Sequence, residues 1–116
     1  MKRLFACLLL AAVPAWGLTP EAKEFLAISK QLEPVHCEKR KLRREIVMAQ
    51  TENRAEDARE LKKRFAALDK DPKTAKLEKR LAELESRLLD SSGKARNRED
   101  LDAISFRHRE AYYRCD

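Results

Sequence analysis

Two cysteines and two histidines invite a metal reading first. His36 and Cys37 are adjacent, and His108 and Cys115 lie near the other end of the chain. Two Cys and two His are a common zinc ligand set. Their spacing argues against it. Neighbouring side chains on a helix diverge by about 100°, and seven residues of helix put His108 roughly 10 Å from Cys115. No metal or other cofactor is expected, and His108 reads as a partly buried residue of a helix seam.

Charge forms the next cluster. Glu38 to Glu45 contains Lys39, Arg40, Lys41, Arg43 and Arg44. Such a run could bind an anionic partner: acidic lipid, an envelope polymer or an acidic protein face. The flanking acids and the spread of the positive charges around the helix favour a solvated face instead. Tyr112 and Tyr113 beside Cys115 could anchor a partner. Adjacent helical residues point apart, so one tyrosine is expected to pack by the seam and the other to face solvent. Nothing in the chain resembles a phosphate-binding glycine loop or a nucleophile elbow, and the expected function is non-catalytic.

The N-terminus bears on compartment. Lys2 and Arg3 precede an apolar run from Leu4 to Val13, followed by Pro14-Ala15-Trp16-Gly17. The pattern is that of a secretory signal peptide over residues 1–17, cut after Gly17 or after Ala15. An apolar run of about 10 to 13 residues falls short of the roughly 20 that a membrane-spanning helix needs. Removing Lys2 and Arg3 lowers the formal charge from +6 to +4. That is too mildly basic for a dedicated nucleic-acid binder, and an exported chain is expected to meet no nucleic acid. Of the three cysteines, Cys7 would leave with the signal. A periplasmic or secreted chain keeping Cys37 and Cys115 is expected to join them.

Residues 18–116 read as one helical domain. Only two glycines and 40% charged residues point to long helices with a thin core between them. Thr19-Pro20-Glu21 is a helix start, with Thr as N-cap and Pro in the first turn. Phe25, Ile28, Leu32, Val35, Lys39, Leu42, Ile46 and Ala49 keep one a/d register. Pro34 interrupts it with a kink or a break. From Thr51 to Asp57 the face turns polar, with Asn53 where an apolar residue is due. The stripe resumes at Ala58, Leu61, Phe65 and Leu68, and one continuous helix is expected to about residue 69. Asp71-Pro72 opens the next helix, striped by Leu77, Leu81, Leu84 and Leu88. Asn97 with Asp100 resembles a capping box for a last helix carrying Leu101, Ile104, His108, Ala111 and Cys115. Glu60–Arg64 and Glu83–Arg87 stand at helix-supporting i,i+4 spacing.

The expected helices are thus about 20–33, 35–69, 72–90 and 98–114. They make an all-α fold: an elongated antiparallel hairpin, or a three- to four-helix bundle with coiled-coil-like packing, closed by one disulfide. The functional expectation is an exported interaction, adaptor or chaperone-like module with a protein partner and self-association through the helix seams. The alternatives are a basic binder of anionic envelope surfaces and a small inhibitor of an extracellular enzyme.

Overall fold

A computed structural model describes residues 17–115 of the chain. The expected signal peptide therefore lies outside the described residues except for Gly17. Four helices follow in order: α1 (Pro20–Thr51), α2 (Ala55–Leu68), α3 (Pro72–Leu88) and α4 (Arg98–Arg114). There is no strand among the described residues, only an isolated bridge between Leu89 and Ala95.

α1 is the spine on which the other three helices pack. It starts as its sequence implies: the Ala22 N–H donates to Thr19 Oγ1, and Pro20 stands in the first turn. Its 32 residues run straight through Pro34, so the helix expected to stop near residue 33 continues. The missing N–H at position 34 frees the carbonyl of Lys30. Both residues face solvent, where water can take up that carbonyl.

The chain turns instead at Glu52–Arg54, inside the helix expected to span 35–69. Asn53 sits at φ 55°, in the left-handed region that asparagine tolerates better than most residues. The Arg54 N–H donates to the Ala49 carbonyl at 2.8 Å and the Asn53 N–H to the Gln50 carbonyl at 3.2 Å. These paired bonds form a Schellman motif with asparagine at C′. The polar stretch read as the middle of a helix is its end.

α2 and α3 together run antiparallel to α1. α2 lies along its C-terminal half, where Leu42, Ala49 and Ala58 are buried. α3, capped by Asp71, lies along its N-terminal half. There Ala22, Phe25, Ile28, Leu32, Leu84 and Leu88 form the main core, with Leu77, Leu81 and Ile104 packed against it. α3 ends at Leu88, two residues short of expectation. A tight turn follows, in which Asp90 accepts from the N–H groups of Ser92 and Lys94 and Gly93 takes φ 86°.

α4 returns parallel to α1, and its inward face keeps Ile104, Ala111 and Cys115 of the expected stripe but exchanges Leu101 and His108 for Asp100 and Arg107. Asp100, Ile104, Arg107, Ala111 and Cys115 face inward, while Leu101 and His108 are exposed. The reason is polar docking. Asp100, only 3% exposed, accepts from the Thr19 N–H at 3.0 Å and from the Thr19 hydroxyl at 2.7 Å. The carboxylate expected to close its own capping box thus completes the N-cap of α1, while Asn97 caps α4 by accepting from the Glu99 and Asp100 N–H groups. His108 lies at the edge of the seam: its ring is 6.3 Å from that of the buried Phe25, while the residue as a whole is exposed.

The molecule therefore has two parts. α3, α4 and the first half of α1 form a three-helix base, and the second half of α1 with α2 extends from it as a two-helix arm.

Candidate functional site

Base and arm meet at the disulfide. Cys37 lies near the middle of α1 and Cys115 is the C-cap of α4, with Cα atoms 5.5 Å apart. Helix lengths explain the meeting. From Thr19 to Cys37, α1 rises about 27 Å, and α4, starting beside Thr19, rises about 23 Å from Asp100 to Cys115.

An ionic clamp surrounds it. Glu33 of α1 accepts from Arg107 at 2.6 Å and from Arg114 at 2.9 and 3.0 Å. Arg107 and Arg114 also approach Glu110 at 3.5 and 3.6 Å. The hydrogen bonds from Arg114 hold the Glu33 carboxyl below its ordinary pKa; burial opposes them, and the charges of Arg114 and Arg107 add to the lowering. A depressed carboxyl stabilises the fold above its unfolded pKa and loses that contribution as pH falls through its folded pKa. Stability is therefore expected to drop on acidification below about pH 4.5, the ordinary glutamate value. Glu33→Gln should lower stability at neutral pH and flatten the acid limb of the melting-temperature profile. Parallel profiles for the two proteins would show that the clamp contributes nothing.

The basic cluster is divided between surroundings. Lys39 turns inward, reaching Asp69 at 2.7 Å and Glu78 at 3.5 Å. Arg43 stands over the Phe65 ring at 5.5 Å, which Lys39 also approaches at 5.6 Å. The Arg40 guanidinium lies 5.3 Å from the centre of the Tyr112 ring. Lys41 is half-buried and Arg44 is exposed. The five cations thus do not share one open surface.

The tyrosines differ from expectation as well. Both are exposed, Tyr113 at 78%, and they meet edge to face 5.5 Å apart. Tyr112 leans on Arg40 of α1 and Tyr113 faces solvent, while the inward positions of that turn belong to Ala111 and Cys115.

His36 Nε2 lies 2.9 Å from Glu78 Oε2. Among the described residues no group of three or more His, Cys, Asp or Glu side chains is placed to hold a metal ion. The expected i,i+4 pairs are replaced by Arg80–Glu83 within α3 and by Arg64–Glu38 between α2 and α1. Arg80 also forks onto Glu24 of α1 at 2.7 and 2.8 Å, tying α3 to the spine.

The arm carries a feature that the stripe analysis missed. Val47 and Met48 are 59% and 55% exposed near its tip. Met48 and Leu61 line an open trough of about 410 Å³ rimmed by Glu45, Asp57, Glu60 and Arg64. Their signal was present in the sequence as two apolar residues beside, and off, the a/d register. None of the described helices is long and apolar enough to cross a membrane. The chain matches no protein-family model, no curated protein and no solved structure.

Proposed function

We propose that the protein is exported and acts as a non-catalytic module that holds another protein against its helical arm. One observation carries the binding role: Val47 and Met48 are exposed on an arm of two helices, and Met48 lines a trough with a charged rim. Exposed apolar side chains ringed by charge are the usual composition of a protein-binding surface. In this reading α1 and α2 form a short antiparallel coiled coil that projects the contact away from the base. Export is supported by the basic start, the apolar run to Val13 and the small residues after it, with which the disulfide is compatible.

A photo-crosslinking amino acid at position 47 or 48 tests the reading in the native cell, with the exposed Arg87 of α3 as the control position. Discrete protein adducts from the arm, absent from position 87, are expected. Equal background labelling at all three positions would overturn the proposal.

A further inference from the structure

We propose that the outer face of α1 and α4 joins two copies of the chain in a parallel homodimer, with Phe106 of each copy seated on Leu26 and Ala27 of the other. Phe106 is 58% exposed, although phenylalanine is among the side chains most often buried. It lines an open groove of about 400 Å³ between the two helices, with Leu26 and Ala27 of α1 and Ala103 of α4 as further apolar walls. Tyr113, seven residues on and 78% exposed, continues the Phe106 stripe. Exposed apolar surface rimmed by charge marks a contact with another molecule.

The charges of this face point to a second copy as the occupant. Its α1 edge carries Lys23 and Lys30, and its α4 edge carries Glu99, Asp102 and Glu110, all exposed. Among the described residues, the ion pairs of α4 and of the first half of α1 leave Lys23, Lys30 and Glu99 unused. Asp102 has Arg98 at 3.8 Å. Glu110 is met at 3.5 and 3.6 Å by Arg107 and Arg114, whose shorter bonds go to Glu33. One edge is thus basic and the other acidic. Such a face complements itself across a twofold axis that runs along the helices, since each basic edge then meets an acidic one.

The register follows from contacts within one copy. Thr19 meets Asp100 and Cys37 meets Cys115, so an α1 residue is level with the α4 residue 78 to 81 positions on. In the parallel dimer Lys23 therefore comes level with Asp102 of the other copy, Ala27 with Phe106 and Lys30 with Glu110. The small side chain of Ala27 leaves room for the ring. Antiparallel pairing centred on Leu26 and Ala27 would instead set Lys23 against Lys30 and Asp102 against Glu110, and like charges so placed repel. Two helices about 25 Å long and about 10 Å wide cover on the order of 500 Å² per copy. The total of about 1,000 Å² is the lower limit for a specific interface, so the dimer is weak. Both arms leave it at the same end, a geometry that does not depend on what the arms bind.

Sedimentation velocity of the oxidised protein, purified from cells expressing the full sequence, provides the test. A reversible dimer with Kd on the order of 10 μM is expected, weakening as salt rises. Phe106→Ser should weaken it at least tenfold without changing the circular dichroism, because the side chain lies outside the core. Lys23→Glu/Lys30→Glu and Asp102→Lys/Glu110→Lys, each folded by circular dichroism, should be monomeric alone. Mixed together they should re-form a dimer, since each reversed edge then faces its opposite. Val47→Ser/Met48→Ser, on the arm, should leave the dimer intact. A monomer up to about 50 times that Kd would overturn the proposal. So would a dimer indifferent to Phe106→Ser, charge variants that fail to recombine, or loss of the dimer in the arm variant.

Discussion

Breaking the Cys37–Cys115 bond, by reduction or by Cys37→Ala, is expected to cost the protein about 4 kcal/mol of stability. The bond joins residues 78 apart in sequence. The chain-entropy model assigns closure of such a loop about 4 to 5 kcal/mol, and removal of native disulfides from small secreted domains costs about 2 to 5 kcal/mol. Here the loss should fall unevenly. Ile104 is the α4 side chain packed against the main core. Otherwise α4 is attached by the Asp100–Thr19 bonds at its start and the Glu33 clamp towards its end. These are a few polar contacts, the Arg114 side of the clamp is half open to solvent, and charged pairs so exposed contribute little. Reduction is therefore expected to free α4 before α1, α2 and α3. Hydrogen exchange should show lost protection over residues 98–114 in the reduced protein, with the core side of α1 still protected. Unchanged α4 protection together with an unchanged melting temperature would mean that the disulfide does not support the fold.

Leu84→Ala is expected to cost about 3 kcal/mol, within the range of about 2 to 5 kcal/mol for truncating a buried leucine. Leu84 is 0% exposed and lies in the core cluster with Ala22, Phe25, Ile28, Leu32 and Leu88. A core this thin has few neighbours able to move into the vacated space. The loss would be a large share of the roughly 5 to 15 kcal/mol typical of a domain. Leu101→Ala makes the comparison: it removes the same atoms from a position that its stripe assigns to the seam but that the structure exposes. Urea unfolding of the oxidised proteins should move the midpoint strongly for position 84 and little for position 101. Equal shifts would mean that Leu101 is as buried as Leu84.

The all-helical class was legible because it rests on local properties. Capping residues such as Thr19 and Asp71, prolines in first turns and apolar spacing of three and four act within a few residues of themselves. The disulfide pairing was legible for another reason: helix rise and a count of cysteines required only that the two ends meet. The chain satisfies that requirement by a different path from the one expected. The turn at Asn53 shows how a local signal can be misread, since an asparagine off the apolar register serves equally as a polar residue within a helix or as the left-handed C′ that ends one.

By itself, the sequence determined the helical class, the α3 and α4 starts and the apolar residues available for a core. The tertiary structure alone decided that Pro34 stays inside a helix, because it leaves Pro34 and Lys30, whose carbonyl it frees, on the solvent face. It also decided which face of α4 turns inward. Hydropathy favours Leu101 over Asp100 and gives no place to Arg107, yet Thr19 and Glu33 on α1 supply the partners that make those polar residues the contact.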